Sequence, residues 1–432
     1  MRILAVALAA LTMTGQILPA ADPLKSVSER YVKLVLAVGL HDADYVDAYY
    51  GPPEWRAQVQ AERPALTEIA QRAEALVAEV AKAPALPVVK ADAELWQLRV
   101  QYLDRQLSAL RARVSMLQGK RLTFDEESRA LYDAVAPRYT EKDFEVALVK
   151  LDATLPGSGS LIQRYEKFKE AFIIPRDRLD QVFRTAIRAC RDRTTGAIEL
   201  PAGESFTVEY VSGKSWSGYN WYQGNFKSLI QVNTDLPIYI DRAIDLACHE
   251  GYPGHHVYNA LLEKHLVRDR QWMEFTVYPL FSPQSLIAEG TANYGIEVAF
   301  PSAERLAFER DVLFPLARLD AGRAKEYYDT FALVDQLSYA GNEAARRYLD
   351  GQIDAAAAAD WLERYAMMPR ARAAQRVKFI DQYRSYVINY NLGKDLVRAF
   401  VERRTRNDAA PARKWREFAA LLSSPRLPST LK

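Results

Sequence analysis

Apolar side chains recur at helical spacing through the first half of the sequence. Around residues 66–80, and again around residues 96–117, they return every three or four positions, which is typical of amphipathic helices. Short breaks rich in proline and glycine interrupt the pattern at residues 51–53, 84–87 and 156–159. Breaks of this kind divide helices into hairpins, so the pattern predicts a bundle of long helices over residues 21–195.

The pattern changes between residues 197 and 239. Residues 207–211 and 228–233 are rich in apolar and β-branched side chains, and a segment rich in glycine, tryptophan and tyrosine separates them. We expect two short strands of a small sheet here, joined by a loop. The later strand, at residues 228–233, is also a candidate to pair with an extended peptide.

Helical spacing returns at residue 241 and continues to the C terminus. Helices are expected at residues 241–252, 254–266, 286–298, 302–349 with a break near residue 315, 354–365, 370–400 and 414–422. The predicted fold class is mainly α, a large helical bundle with a small sheet next to the helix that begins at residue 241. Residues 21–432 are expected to form one domain, with a helical half at 21–195 and a second half at 196–432.

The first twenty residues are typical of a signal peptide. A charged start is followed by an apolar run over residues 3–11 and by small residues near a plausible cleavage point after Ala20. A buried N-terminal helix is the alternative. No other segment is long and apolar enough to cross a bilayer, so we expect an exported protein, periplasmic or secreted, with no membrane span in the mature chain. No cysteine follows the apolar run, so lipid attachment is not expected.

Composition excludes some partners and suits a globular protein. The 57 basic and 55 acidic residues nearly cancel, which gives no electrostatic footprint for nucleic acid, and 49% of residues are apolar, enough for a sizeable core. The two cysteines, Cys190 and Cys248, could form a disulfide in an exported chain. Because Cys248 lies in an apolar stretch where a buried thiol is natural, the sequence favours free thiols.

Histidines cluster in one short segment. Four of the five lie between residues 249 and 265, and three fall within residues 249–256. In a regular helix, a step of six residues turns about 120° away from the starting face, so His255 would not meet His249. Pro253 lacks the NH that would continue the helix and Gly254 is conformationally free, so we expect a bend that returns the following histidine to His249. Histidines packed without a metal are the alternative.

These residue types indicate a metal site. Catalytic zinc takes neutral imidazole and carboxylate ligands and keeps one position open for water. His249 and one of the adjacent pair His255 and His256 are the expected histidine ligands, because neighbouring residues on a helix face different ways. Glu289 is the expected third ligand, because it is the one acidic residue in the largely uncharged stretch 287–294, although a Glu on an exposed face is the alternative. Glu250, beside His249, is the expected general base for a metal-activated water.

Several motifs together resemble a bacterial family, domain of unknown function 885. They are the histidine segment 249–256, the Glu-Gly-Thr-Ala run from Glu289, the Tyr-Tyr-Gly-Pro-Pro-Glu-Trp run at 49–55 and the Tyr-Asn-Leu-Gly-Lys run at 390–394. This family is similar to gluzincin metallopeptidases. The resemblance implies a gluzincin-like helical fold with His249, His255 and Glu289 as ligands and Glu250 as base.

The same resemblance implies a hydroxyl or imidazole that steadies the oxyanion of the transition state. Tyr390 fits this place, with Tyr383 and Tyr386 as rivals. The chain departs from the commoner family pattern at Thr291, where tryptophan is usual, and at Ile296, where an acid is frequent. These departures affect the expected substrate pocket and leave the metal ligands unchanged.

The predicted function is zinc-dependent hydrolysis, and the predicted substrate is a peptide bond. A hydrolase of other amides or esters and an inactive metal-binding or peptide-binding protein are the alternatives. Aromatic side chains could wall the substrate cleft or pack in the core: Trp216, Tyr219, Trp221 and Tyr222. Three arginines could bind a substrate carboxylate or form a solvated face: Arg372, Arg376 and Arg384.

Overall fold

A computed structural model describes the chain over residues 22–84, 90–214, 216–408 and 410–431. The predicted signal peptide, residues 1–20, lies outside the described residues. Within the described ranges, no helix combines the length and the apolar character that crossing a membrane requires.

Helices form most of the described chain. The α-helices are α1 Lys25–Val38, α2 Pro53–Glu62, α3 Leu66–Val80, α4 Lys90–Leu117, α5 Phe124–Tyr132, α6 Glu141–Thr154, α7 Leu161–Glu170, α8 Leu179–Thr195, α9 Asp241–Leu246, α10 His255–Leu262, α11 Pro283–Ala299, α12 Ser302–Phe308, α13 Phe314–Leu316, α14 Ala324–Asp335, α15 Ala340–Leu349, α16 Ala355–Tyr365, α17 Arg370–Tyr383, α18 Ile388–Thr405 and α19 Pro411–Leu422. Wider π-helical turns occupy Ala247–Gly251, Glu263–Arg268 and Glu309–Leu313. Tighter 3-10 turns occupy Arg176–Arg178, Met273–Thr276, Ala321–Arg323, Arg384–Val387 and Pro428–Leu431.

Two small sheets accompany the helices. The strands are β1 Val46–Tyr49, β2 Ser205–Val211, β3 Gly218–Gly224, β4 Lys227–Asn233 and β5 Val277–Pro279. In the larger sheet β4 lies in the centre, parallel to β2 and antiparallel to β3, while β1 and β5 form a separate antiparallel pair. The fold is therefore mainly α with a small sheet, as predicted.

Three strands differ from the prediction. The segment expected to be a loop contains β3, in which two adjacent aromatic residues, Trp221 and Tyr222, interrupt the usual alternation of apolar and polar side chains. The strands β1 and β5 were not predicted, because each is only three or four residues long and finds its partner far away in the sequence. The central place of β4 also excludes the expected pairing of residues 228–233 with a peptide, since both of its edges are already paired.

The first half of the bundle follows the apolar periodicity. On α3 the buried positions Ile69, Ala73, Leu76 and Val80 are three or four residues apart and form one stripe. This stripe faces α1 and α4, which carry matching apolar faces in the main core. A smaller core packs one face of α17 against α6, α7, α15 and α16.

Helix α11 lies at the centre of the molecule and is buried on nearly every side. It packs most closely against α18, and glycines meet at the contact. A Cβ on Gly290 would lie 2.5 Å from the carbonyl oxygen of Gly393, and a Cβ on Gly393 would lie 2.7 Å from the carbonyl oxygen of Leu286. Such distances leave no room for a methyl group, so both glycines are required for the two backbones to approach.

A disulfide joins Cys190 on α8 to Cys248 in the π-helical turn after α9, with their Cα atoms 5.6 Å apart. The sequence-based preference for free thiols was therefore wrong. Both cysteines are fully buried. A buried position suits a free thiol as well as a disulfide, so the apolar residues around Cys248 did not distinguish the two. The packing of α8 against the turn brings the cysteines together, and this contact has no sequence signal.

We expect Gly290→Ala and Gly393→Ala each to lower the free energy of unfolding by about 1–3 kcal/mol, because an added methyl group must push α11 and α18 apart. Urea unfolding followed by circular dichroism measures the change. Gly341→Ala is the matched control, because a Cβ on this helical glycine of α15 meets no atom within 4 Å. That variant should be as stable as the wild type or slightly more stable. Equal stability of Gly290→Ala and Gly341→Ala would contradict the tight helix contact.

Reduction of the disulfide should lower the free energy of unfolding by up to about 4 kcal/mol, since the bond closes a loop with a sequence separation of 58 residues. Thermal unfolding with and without reductant measures the loss. The Cys190→Ser/Cys248→Ser double variant is the control and should be insensitive to reductant. Two titratable thiols in the unfolded, unreduced wild type would show that the bond is absent.

Candidate metal centre

The chain bends sharply between α9 and α10. After α9 the backbone widens into the π-helical turn Ala247–Gly251, passes a cis bond between Tyr252 and Pro253, and enters α10 at His255. The NH of Gly254 donates to the carbonyl oxygen of Cys248 at 2.9 Å, which closes the bend. The bend therefore lies where the sequence places Pro253 and Gly254.

Gly254 is the position that makes this bend possible. A Cβ there would lie 1.9 Å from the carbonyl oxygen of His249 and 2.4 Å from that of Cys248. No side chain fits in that space, because non-bonded carbon and oxygen atoms need more than 3 Å. On the other side, Pro253 packs against α11, where a Cβ on Gly295 would lie 3.1 Å from Pro253 Cγ. The bend is thus enclosed by backbone on both sides.

The bend brings three side chains of metal-binding type together. His249 Nε2 lies 3.1 Å from His255 Nε2 and 3.3 Å from Glu289 Oε2 of α11, and His255 Nε2 lies 3.8 Å from the same oxygen. Donor atoms at about 2.0–2.1 Å from a tetrahedral zinc are separated from each other by roughly 3.3 Å. The three predicted ligands are therefore spaced as such a site requires.

The carboxylate of Glu289 is incompletely satisfied. Tyr386 donates its hydroxyl to Oε1 at 2.9 Å, whereas Oε2 is buried and accepts no hydrogen bond. Its 3.3 Å approach to His249 is an electrostatic contact rather than a hydrogen bond. A buried carboxylate oxygen without a partner is costly, and a cation between it and the two imidazoles would remove the cost. Two imidazole nitrogens and one carboxylate oxygen form a donor set that suits zinc.

The protonation of these side chains reflects their burial and their neighbours. Burial would raise the pKa of Glu289, but His249, His255 and the Tyr386 hydroxyl lower it overall. Burial lowers the pKa of His255 to about 4. For His249 burial is outweighed by the Glu289 and Glu250 carboxylates, and its pKa is raised. At neutral pH Glu289 is therefore ionised and His255 is neutral, the states in which both bind a metal.

Glu250 lies in the same turn and is only 5% exposed. Burial raises its pKa to about 7, with opposing effects of the His249 and Glu289 charges. The first residue of β3, Gly218, leaves space for it, since a Cβ there would lie 3.1 Å from Glu250 Oε1. Asn220 of β3 donates to the backbone carbonyl of Glu250 at 2.7 Å and ties the strand to the turn.

The three candidate tyrosines occupy different places. Tyr386 donates a hydrogen bond to Glu289. The centroid of the Tyr383 ring lies 6.1 Å from that of the Tyr386 ring. The Tyr390 ring lies 5.7 Å from that of Tyr386, and no hydrogen bond from a described residue contributes to the pKa of its hydroxyl. Burial and the charge of Glu289 raise the pKa of Tyr390 well above its usual value, so its hydroxyl keeps its proton.

His256, the alternative ligand, points away from the three donor atoms. Its Nδ1 lies 2.9 Å from the Ser228 hydroxyl and its Nε2 lies 3.0 Å from Glu204. Both nitrogens are therefore engaged, and the structure brings His255, not His256, to His249. Hydrogen bonds from Tyr252 and Arg191 complete this network around Glu204.

The four aromatic residues divide between the surface and the core. Trp216, Tyr219 and Trp221 form a row of contacting rings, with centroids 5.5 and 4.5 Å apart, and Trp221 is 42% exposed. Tyr222 faces the other way, is buried against Tyr50 and donates to Glu263, so it belongs to the core.

Asp47 on β1 is a residue of the site that sequence analysis missed. It accepts a hydrogen bond from Tyr219, and burial raises its pKa to about 6. Its charge also raises the pKa of Glu250. No sequence signal marks Asp47, because it lies in a strand too short to predict. The pairing of β1 with β5 is what places it near the candidate metal ligands.

Comparison with known proteins identifies the fold but no function. No protein-family profile and no curated protein matches the sequence. A crystal structure described as "the putative lipoprotein from Colwellia psychrerythraea" superposes with a TM-score of 0.50 at 14% identity over 85% of this chain and 68% of that chain. Another, described as "a putative lipoprotein of unknown function from Shewanella oneidensis", gives 0.43 at 13% identity over 94% and 79%. The likeness to the Colwellia protein shows a shared fold.

The Glu204 network makes stability depend on pH. Burial opposes ionisation of Glu204, but hydrogen bonds from His256, Tyr252 and Arg191 lower its pKa to about 2. A carboxyl with a depressed pKa stabilises the fold above its unfolded pKa, about 4.3, and loses this effect as pH falls towards 2. We expect Glu204→Gln to lower the free energy of unfolding by on the order of 3 kcal/mol at pH 6 and by less at pH 3.

Denaturant unfolding of the wild type and Glu204→Gln at both pH values measures this difference. Glu199→Gln, at an exposed position in the same region, is the control and should match the wild type at each pH. A Glu204→Gln cost that is the same at pH 3 and pH 6 would show that the ionised carboxylate is not the source.

Proposed function

We propose that this protein is an exported zinc-dependent hydrolase that cleaves peptide bonds. The observation that carries the proposal is the convergence of His249 Nε2, His255 Nε2 and the unsatisfied Glu289 Oε2 beside the buried carboxylate of Glu250. The motifs that resemble domain of unknown function 885, and through it the gluzincin metallopeptidases, support the same assignment. A structural zinc site would need a fourth protein ligand and no general base.

Zinc in this position would supply Lewis-acid chemistry, polarising a carbonyl and making water acidic enough to lose a proton near pH 7. His249, His255 and Glu289 would hold the ion. Tyr386 orients Glu289 through the 2.9 Å hydrogen bond to Oε1, so that Oε2 faces the histidines.

Glu250 carries the proton in the proposed reaction. A general base works best when its pKa is close to the operating pH, and burial brings the pKa of Glu250 to about 7. Its carboxylate would take a proton from the attacking water and deliver it to the leaving amine. The hydrogen bond from Asn220 to its backbone and the space left by Gly218 hold the side chain in place.

Tyr390 is the proposed donor to the oxyanion. Its hydroxyl retains its proton because burial raises its pKa, and no described residue accepts a hydrogen bond from it. It is therefore available to donate to a substrate oxygen as negative charge develops there. Tyr386 is less suited, because its hydroxyl is already bound to Glu289.

An extended peptide has one suitable strand near the metal centre. β3 is an edge strand of its sheet and is tied to the Glu250 turn by Asn220. Pairing with an edge strand would hold a peptide by its backbone and leave its side chains to contact the ring row of Trp216, Tyr219 and Trp221. The peptide partner is thus proposed for β3 instead of β4.

Two findings support export. The disulfide between Cys190 and Cys248 suits an oxidising compartment, where such bonds persist. The Colwellia protein that shares the fold is described as a lipoprotein, a class located in the cell envelope. Both agree with the signal peptide expected from the sequence.

We expect about one zinc per purified chain, and its loss in His255→Gln. His256→Gln is the matched control: it changes the neighbouring histidine in the same way, yet should retain the metal because both of its nitrogens bond to other residues. Elemental analysis of the folded fractions gives the ratio. Zinc retained in His255→Gln and lost in His256→Gln would reverse the ligand assignment.

Glu250→Gln should retain zinc and lose peptidase activity by at least about a hundredfold, because general-base catalysis contributes a factor of roughly 10²–10⁴. A panel of unstructured peptides, small amides and esters, followed by mass spectrometry, measures the rates. Full activity in Glu250→Gln would refute the proton-transfer role. Wild-type activity confined to amides and esters that are not peptides would overturn the substrate class.

A further inference from the structure

Two arginines on α17 make no ion pair with any described carboxylate. Arg372 and Arg376 lie one turn apart on this helix, and Asp241 acts on Arg372 only at longer range. Arg384, which the sequence grouped with them, differs, because it donates to Glu127 at 2.6 Å. Within the described residues, Arg372 and Arg376 are therefore the two members of the predicted group that no carboxylate binds directly.

Arg376 is held in a defined place. Its guanidinium carbon lies 4.6 Å from the centroid of the Phe379 ring and 5.7 Å from that of Tyr390, and its Nε is buried without a hydrogen-bond partner. Burial lowers the pKa of Arg376, but a guanidinium remains charged in proteins. A partly buried cation with an unsatisfied donor is costly unless an anion completes it.

This cation is next to the metal centre. The Arg376 guanidinium carbon lies 5.7 Å from the centroid of the Tyr390 ring, and that ring lies 5.7 Å from the ring of Tyr386, whose hydroxyl donates to Glu289. Arg242, in the first turn of α9, is a further cation in this region, and it pairs with Asp245 at 3.4 Å. It lowers the pKa of Glu250 and also acts on Arg372.

The other charged neighbour of the centre has the opposite sign. Asp47, on β1, raises the pKa of Glu250 and lies beside Tyr219 in the ring row. A negatively charged substrate group would be repelled there and attracted to α17. Because a guanidinium matches the planar geometry of a carboxylate with two parallel hydrogen bonds, a carboxylate is the anion that best suits paired arginines in a peptide-binding cleft.

We propose that Arg372 and Arg376 form a pocket that binds a carboxylate of the substrate beside the metal centre. The proposal rests on the peptidase function proposed above and adds the recognition of an anionic peptide group to it. Peptides have two sources of this group, the C-terminal carboxylate and an acidic side chain. Recognition of the former would direct cleavage to the C-terminal end of a peptide, and recognition of the latter would direct cleavage to sites near Asp or Glu.

Binding to the zinc-loaded Glu250→Gln chain tests the pocket without turnover. Calorimetric titration compares acetyl-Ala-Ala-Ala with a free carboxylate, the same peptide as its amide, and the amide of acetyl-Ala-Glu-Ala. We expect one of the two carboxylate peptides to bind at least about tenfold more tightly than the neutral amide. A hydrogen bond to a charged partner changes the binding affinity by roughly tenfold or more. The preferred peptide identifies the source of the carboxylate.

Arg372→Gln and Arg376→Gln, in the same background, should each remove most of this preference. Lys378→Gln, at an exposed position of the same helix, removes an equal charge and should keep it. Arg376→Lys retains the charge but loses the paired hydrogen bonds, so it should retain only part of the preference. Unfolding curves establish that each variant is folded.

Equal binding of all three peptides, or a preference that persists in both glutamine variants, would overturn the pocket. The two proposals fail separately. A wild-type chain that hydrolyses peptides without any dependence on these arginines refutes the pocket alone. A chain that hydrolyses no peptide, yet shows the arginine-dependent preference in binding, refutes the peptidase and supports the pocket.

Discussion

A buried carboxylate with one unsatisfied oxygen determines the organisation of this molecule. Glu289 lies on α11, the most enclosed helix, where a negative charge is costly unless a partner compensates it. Two neighbouring parts of the chain contribute to that compensation. The bend at Gly254 brings two imidazoles to the carboxylate, and α18 approaches closely enough, through Gly290 and Gly393, for the turn before it to place Tyr386 against Oε1.

Much of this arrangement could be predicted because it depends on local chemistry. The stripe of apolar residues along α3 predicts a helix in a bundle, and the break at Pro253 and Gly254 predicts a bend between two histidines. Glu289 is recognisable as the one acid in the otherwise uncharged stretch 287–294. In each case a single segment contains the information, since helical period, missing backbone NH and isolated charge are properties of neighbouring residues.

The remaining features depend on contacts between distant segments. Asp47 approaches the metal centre because β1 pairs with β5, and Cys190 meets Cys248 because α8 packs against the turn after α9. The choice between His255 and His256 is of the same kind. Adjacent histidines on one helix are equivalent in sequence, and the location of their partners distinguishes them. Only the assembled fold supplies that difference.

The position of the disulfide has a consequence for the order of maturation. Cys248 directly precedes His249, so the cross-link to α8 anchors the segment that carries a candidate ligand. In a reducing cytoplasm this anchor is absent, and the histidine turn is held by packing alone. For an exported chain, oxidation of the two cysteines and anchoring of the histidine turn would then occur on the same side of the membrane. Such a chain would acquire its final cross-linked form only after it leaves the cell interior.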